Sequence, residues 1–402
     1  MAIDIIDSLA KITASKIVFL VMDGLGDIPA DGKDTPLAEA HTPNLDALAK
    51  AGTLGLCDPI GPGLTPGSGP AHLSLFGYDP IENNVGRGLL SAFGLDFELQ
   101  PGDLAARGNF CTLDADGNVT DRRAGRIPDE ANKAACKLIE DNIELPDGVQ
   151  LFLRTESQHR VLVVLRGHGL SDNVAETDPQ AVGVPFLEPT ALTPNANKSE
   201  RILKNILTQI REILKDNHPA NYVLLRGYAN PLELKSFKRK YKMNSLAICE
   251  YPMYRGLAKL VGMETLPPYS SFDDGVTKLK RHYPDFDFFF FHVKKTDSYG
   301  EDGNFEQKKH VIEEVDKIIV PELVKLNPDV LVITCDHSTP WSMKAHSWHP
   351  IPVLFKTKLD RPDNCQVFSE QECLKGSFGR HHSTSLLPQA LGYAGKLNKY
   401  GA

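Results

Sequence analysis

The stretch Lys16–Gly24, KIVFLVMDG, is an unbroken apolar run that stops at an aspartate and a glycine. A β-rich run with no polar face reads as a strand buried on both sides. Two further runs repeat the design. Asp287–Val293 (DFFFFHV) leads into Lys294, Lys295, Thr296 and Asp297, and Asp329–Thr334 (DVLVIT) stops at Cys335, Asp336 and His337. A fourth candidate strand, Ile351–Lys356, follows His346 and His349. Strands without a wet face belong to mainly parallel sheets covered by helices, and such sheets place their sites beyond the carboxyl ends of the strands. Helices should separate them. Thr42–Ala51 reads as a helix capped by Thr42 with Pro43 in its first position, and Phe305–Leu326 carries apolar residues at helical spacing between the second and third strands.

The middle of the chain has another character. No arginine occurs in the first 86 residues, and then Arg87, Arg107, Arg122, Arg123 and Arg126 follow, with Arg154, Arg160, Arg166 and Arg226 at longer intervals. Short β-rich runs lie among them, at Gly108–Thr112, Gln150–Arg154 and Val161–Leu165, with a turn signal at Asp116-Gly117. This predicts a smaller α/β domain over 86–235, inserted into a first domain made of 1–85 and 236–402.

Charge and composition narrow the function. Among 402 residues, 44 Lys and Arg against 52 Asp and Glu give a net charge of −8, which argues against a nucleic-acid binder working by bulk positive charge. The longest apolar runs fall far short of the ~20 residues of a membrane helix, and the first residues do not read as an export signal. Seven scattered cysteines without a CxxC pair argue against a disulfide framework or a zinc knuckle. The expectation is a cytoplasmic enzyme with no membrane or nucleic-acid partner.

The residues beyond the strands carry the chemistry. Asp23, Asp297, Glu301, Asp336, His337 and His346 are oxygen and imidazole donors at strand ends or in adjoining loops, a mixture suited to Mn²⁺, Mg²⁺ or Zn²⁺. Singly, each aspartate could be a turn former or helix cap; the adjacent pair Asp336-His337 is harder to read that way. The loop Gly61–Pro70 (GPGLTPGSGP) precedes an apolar helical run and sets Ser68 at or just before a helix N-terminus, where free backbone N–H groups favour an alkoxide or phosphoryl anion. Ser68 could merely cap that helix. Beside a metal its hydroxyl would become a nucleophile. Arg107 and the Arg122-Arg123-x-x-Arg126 run could grip phosphate or carboxylate bidentately, or serve in surface ion pairs.

Eight stretches together carry a resemblance: VMDGLGD (21–27), TPGSGPAHLSLFGYDP (65–80), ARGNF (106–110), DRRAGR (121–126), HVKKTD (292–297), DHSTP (336–340), HSWHPIP (346–352) and KYGA (399–402). The chain resembles the archaeal-type, bisphosphoglycerate-independent phosphoglycerate mutases of the alkaline phosphatase superfamily, and is especially similar to a bacterial branch of them. The resemblance implies a phosphatase-like α/β domain binding two divalent cations, Mn²⁺ or Mg²⁺ with Zn²⁺ or Co²⁺ as further candidates, and an inserted substrate-binding domain. It implies Ser68 as the phosphoserine nucleophile. Asp23, Ser68, Asp336 and His337 would hold one metal, and Asp297, Glu301 and His346 the other. Arginines of the insert, among them Arg107, Arg122, Arg123, Arg126 and Arg226, would bind the substrate, with Lys294 a nearby charge. Glu301 departs from the histidine of the general pattern, Gly69 from an aspartate, His349 from an aspartate and Cys335 from a glycine.

The expected reaction is interconversion of 3-phosphoglycerate and 2-phosphoglycerate through phosphoserine, with water excluded while the phosphoryl group is held. A metal-dependent phosphomonoesterase, or a mutase paralogue acting on another small phosphorylated acid or a phosphonate, would use the same motifs.

Overall fold

The computed structural model describes residues 5–83, 85–359 and 361–401. It divides into two compact units, one of Met1–Asn84 with Leu234–Ala402, the other of Val85–Glu233. In chain order the strands are β1 (Ile17–Met22), β2 (Thr53–Asp58), β3 (Asp103–Leu113), β4 (Asn118–Asp121), β5 (Gln150–Ser157), β6 (Arg160–Arg166) and β7 (Val184–Pro185). They continue with β8 (Tyr222–Ala229), β9 (Ser245–Cys249), β10 (Glu264–Thr265), β11 (Phe288–Val293), β12 (Val330–Thr334), β13 (Ile351–Thr357) and β14 (Gly379–His382).

The first unit is built on one eight-stranded sheet in the order β10-β9-β11-β1-β12-β13-β2-β14. Only β13 runs against the rest, so the sheet is mainly parallel, as the apolar runs require. β1 lies between β11 and β12, and every residue from Ile17 to Met22 and from Phe288 to Phe291 is fully buried. Burying each such side chain contributes roughly 1.5–3 kcal/mol before chain entropy is counted, so these strands anchor the unit. Their register decides where function can sit. Met22 pairs with Val293 and Val21 with Thr334, so all three strands end at one level. The next residues of each chain segment are therefore delivered side by side.

The helices fall where apolar spacing predicts, with one correction. Pro43–Ala51 is helical, but the Thr42 side chain makes no capping bond. The Asp316 carboxylate takes that role instead, accepting the Leu45 N–H at 2.7 Å and the Asn44 N–H at 3.3 Å. Asp316 can reach because the run from Phe305 to Leu326 is an α-helix widened into a π-turn over Val315–Ile319 before it resumes at Val320. Pro321, which has no N–H to give the preceding turn, follows this irregularity.

The second unit is a sheet of β5-β6-β3-β4-β7 with β8 paired to β3, all antiparallel. The helices Asp129–Asn142 and Asn197–Leu214 bury Ile139, Leu203, Ile206 and Leu207 in the core of this unit. The seven cysteines are buried and unpaired, and no helix of the described residues is long and apolar enough to cross a membrane.

A buried polar network ties the loop after β1 to its neighbours. Lys308, fully buried, donates to Asp27 Oδ2 at 2.7 Å and to the Thr339 carbonyl at 2.9 Å. Glu370 accepts the Asp27 N–H at 3.1 Å and the Thr35 hydroxyl at 2.6 Å. Burial, opposed by the Thr35 bond and reinforced by Asp27, pushes the Glu370 carboxyl up to about 7. A pKa raised on folding means that this group supports stability fully below its unfolded value near 4.3, and that the support is lost as pH rises through 7. Urea unfolding of Glu370→Gln should therefore show a shallower fall in stability between pH 5 and 7.5, by about 2 kcal/mol relative to the parent. An unchanged pH slope would refute this.

Candidate active site

Asp23 is the first residue after β1, and its N–H donates to the Val293 carbonyl at 2.9 Å. Gly24 follows in the left-handed region at φ +62°, where a side chain would be strained. A Cβ there would also fall 2.5 Å from Thr339 Oγ1 and 2.8 Å from Asp297 Cβ, so glycine lets the two strand-end loops close on each other. Asp297 lies in the helix Lys295–Glu301 that starts directly beyond β11. Asp336 and His337 follow β12 and are completely buried.

Ser68 is the first residue of the helix Ser68–Leu75, with Gly67 as its N-cap. The amides of Ser68 and Gly69 therefore lie in the first turn, where N–H groups have no intrahelical acceptor. Ser68 Oγ lies 3.3 Å from His337 Nε2. That nitrogen is in turn 3.1 Å from Asp336 Oδ2 and 3.4 Å from Asp23 Oδ1. His346 stacks on His337 with ring centroids 3.6 Å apart, and its Nε2 lies 3.6 Å from Asp297 Oδ1.

Two groups of donor atoms each gather within 4.8 Å: Asp23, Asp336 and His337, and Asp297, His337 and His346. His337 belongs to both. Glu301 is in neither; it is largely exposed one turn beyond Asp297, with Oε1 3.8 Å from His346 Nε2. Asp23 Oδ1 and Oδ2 and Asp336 Oδ2 are buried without a hydrogen-bond partner among the described residues. Orphaned buried carboxylate oxygens facing imidazole nitrogens are what a divalent cation satisfies, so the donor set fits a metal.

The electrostatics agree. Burial opposes the charge on Asp23, but Lys294, His292 and His337 outweigh it and hold the carboxyl well below its ordinary range. Burial and the Asp23 charge both oppose ionisation of Asp336, yet His337 and His72 keep it low. Burial depresses the His337 imidazole against the pull of Asp336 and Asp23. Partial burial, then Asp297, raises the Glu301 carboxyl. Lys294 Nζ lies 2.5 Å from Asp297 Oδ2 and 3.2 Å from Asp23 Oδ2, so its ammonium bridges the two carboxylates.

Reading the motifs missed His72, His292 and Thr339. His72 lies one turn after Ser68, and its Nδ1–H donates to the Ser68 carbonyl at 2.8 Å while standing 3.3 Å from Asp336 Oδ2. His292, the penultimate residue of β11, stands 3.4 Å from Asp23 Oδ2 and is stacked on Tyr254. The four-residue spacing of Ser68 and His72 on one helix was the available signal. Thr339 Oγ1 bonds Asp297 at 2.6 Å.

The second unit holds the candidate substrate-binding arginines. Arg107 makes a two-pronged contact with Glu156, at 2.5 and 3.2 Å, and Arg122 one with Asp178, at 2.7 and 2.9 Å. Arg226 pairs across the sheet with Arg107, and its Nε is buried without a hydrogen-bond partner among the described residues. Burial, then Arg87 and Arg107, lowers the Arg226 guanidinium. Arg123 and Arg126 are exposed. Together with Arg160 and Arg107 they bear on one further residue absent from the motifs, buried His159, which burial first and these cations next push down to about 4.

Fold and site define an α/β protein that faces a serine hydroxyl, at a helix N-terminus, toward carboxylates and imidazoles collected where parallel strands end. The family description for 2,3-bisphosphoglycerate-independent phosphoglycerate mutase matches residues 49–221. The chain is 50% identical to a probable 2,3-bisphosphoglycerate-independent phosphoglycerate mutase of Thermotoga maritima, over 99% of both chains. It is 48% identical to one of Thermus thermophilus, again over 99% of both. Among solved structures, a protein from Pyrococcus horikoshii superimposes with a TM-score of 0.81 at 30% identity, covering 97% of this chain and all of that one. The cofactor-independent phosphoglycerate mutase of Thermoplasma acidophilum gives a TM-score of 0.71 at 28% identity, covering 94% of this chain and all of that one. The chain belongs to the 2,3-bisphosphoglycerate-independent phosphoglycerate mutase family.

His72→Leu would leave the Ser68 carbonyl without its donor and remove the imidazole that stands against buried Asp336. Urea denaturation at pH 7 should show a loss of about 1–3 kcal/mol; unchanged stability would mean that His72 does not support the carboxylate.

Proposed function

We propose that the protein interconverts 3-phosphoglycerate and 2-phosphoglycerate, with Ser68 carrying the phosphoryl group between the two hydroxyls. The observation that supports this most is Ser68 Oγ at the start of its helix, 3.3 Å from His337 Nε2 and beside the orphaned oxygens of Asp23 and Asp336. Asp23, Asp336 and His337 would hold one divalent cation with Ser68, and Asp297 and His346, with Glu301 at the rim, a second; Mn²⁺ or Mg²⁺ suits oxygen-rich donors of this kind. Such cations, when bound, lower the pKa of a neighbouring hydroxyl and neutralise charge on a transferring phosphoryl group.

In the forward direction Ser68 Oγ gives up its proton and forms a bond to phosphorus as the bond from phosphorus to O3 of the substrate breaks, and O3 takes up a proton. The glycerate then presents O2, which forms the new bond to phosphorus as Ser68 Oγ leaves. O2 loses its proton in this second transfer and Ser68 Oγ regains one, so atoms and charge balance over the cycle and no water is consumed. The first-turn amides of Ser68 and Gly69 would donate to phosphoryl oxygens. Lys294, bridging Asp23 and Asp297, supplies a positive charge at the same place. In our reading the second unit binds the acid: Arg226, whose Nε has no hydrogen-bond partner among the described residues, is the first candidate, followed by the exposed Arg123 and Arg126, while Arg107 and Arg122 would have to release Glu156 and Asp178 to join them.

Phosphorus NMR tests the reaction. With 3-phosphoglycerate, a 2-phosphoglycerate signal should grow without free phosphate; free phosphate alone would mean a hydrolase. Ser68→Ala should lower turnover by about 10⁴-fold or more, and full turnover in that variant would refute the covalent route. Dialysis against EDTA should abolish activity, with Mn²⁺ or Mg²⁺ but not Ca²⁺ restoring it. Activity indifferent to chelation would contradict the two-cation site.

A further inference from the structure

Thr339 is fully buried between the two donor groups. Its Oγ1 lies 2.6 Å from Asp297 Oδ1 and 3.0 Å from His337 Nδ1. A hydroxyl has one hydrogen, and a carboxylate can only accept. The hydrogen of Thr339 therefore goes to Asp297, and the contact with His337 must be made by a hydrogen on Nδ1, with Thr339 Oγ1 accepting. In a neutral imidazole this leaves Nε2 with its lone pair. That lone pair faces Ser68 Oγ at 3.3 Å, Asp336 Oδ2 at 3.1 Å and Asp23 Oδ1 at 3.4 Å.

Thr339 has little freedom to do otherwise. Its N–H donates to the Gly26 carbonyl at 3.0 Å, and its own carbonyl accepts from Lys308 Nζ at 2.9 Å. Two glycines fence it. A Cβ on Gly24 would lie 2.5 Å from Thr339 Oγ1, and one on Gly300 would lie 2.5 Å from the Thr339 carbonyl oxygen and 2.9 Å from Cγ2. Backbone, side chain and surroundings thus hold the hydroxyl within hydrogen-bond reach of both Asp297 and His337.

We propose that Thr339 is a positioning residue that fixes the Nδ1–H tautomer of His337, assigns its Nε2 to the Asp23–Asp336 group, and couples that group to Asp297 of the other. With Nδ1 occupied by hydrogen, His337 is withdrawn from the Asp297–His346 group to which its position alone would admit it. The two half-sites then share a hydrogen-bond chain, Nδ1–H to Thr339 to Asp297, rather than a ligand. Partners of this kind orient a ligating imidazole and raise its basicity.

The coupling to metal rests on the reading of the site as a divalent-cation centre, whereas the tautomer does not, so two measurements separate them. Long-range proton–nitrogen NMR of ¹⁵N-histidine-labelled protein without metal should show His337 as the Nδ1–H tautomer in the parent and in Thr339→Ser, which keeps the hydroxyl. In Thr339→Val, which keeps the shape but not the hydroxyl, that tautomer should lose its preference. Mn²⁺ titration followed by electron paramagnetic resonance should show affinity reduced about 10–100-fold in Thr339→Val and restored in Thr339→Ser. An Nε2–H tautomer in the parent would overturn the proposal without needing any variant to fold. Parent-like Mn²⁺ affinity in Thr339→Val would overturn the coupling while leaving the site reading intact. A parent that binds no Mn²⁺ would overturn the site reading and the coupling together.

Discussion

Three carboxylates, those of Asp23, Asp297 and Asp336, are buried where three parallel strands end. Charge in such surroundings is costly unless it is paired, and like charges there oppose one another, as Asp23 does Asp336. The rest of the first unit can be understood as what makes that arrangement tolerable. Lys294 bridges two of the carboxylates, His72 stands against the third, and several oxygens are still left without a hydrogen-bond partner among the described residues. That residual demand for positive charge makes the place suited to a divalent cation and hence to an anionic phosphoryl group.

Precision comes from the layer behind the donors. The loops after β1 and β12 are sewn together through Lys308, which spans from Asp27 to the Thr339 carbonyl with its ammonium wholly inside the protein. Losing one partner of such a buried pair costs roughly 3–5 kcal/mol, because the other charge is stranded. The network therefore holds the donors in register more than it adds to stability. Gly24 and Gly300 allow the loops to approach closely enough for Thr339 to bridge them.

The second unit meets a different electrostatic problem. Several of its arginines are already answered by carboxylates, Arg107 by Glu156, Arg122 by Asp178 and Arg166 by Asp103. Arg226, whose Nε has no hydrogen-bond partner among the described residues, and the exposed Arg123 and Arg126 carry positive charge less fully compensated within the unit. A small acid bearing both phosphate and carboxylate would suit that charge.

Much of this was legible in order along the chain. Uninterrupted apolar runs require burial on both faces, and that alone implies a mainly parallel sheet with chemistry at its carboxyl ends; Asp23, Asp297, Asp336 and His337 follow from reading the next few residues. Local reading failed where a partner came from far away. Thr42 looks like a cap, yet Asp316 reaches the helix end from a π-turn that no short-range pattern announces. His72, His292 and Thr339 have ordinary local roles in sequence and acquire their meaning only from neighbours across the sheet. Residue type and spacing determined which donors exist and that they lie at strand ends. Strand register and loop packing decided which atoms face one another, because hydrogen-bond direction and ångström-scale separation between distant segments arise only when the chain has closed on itself.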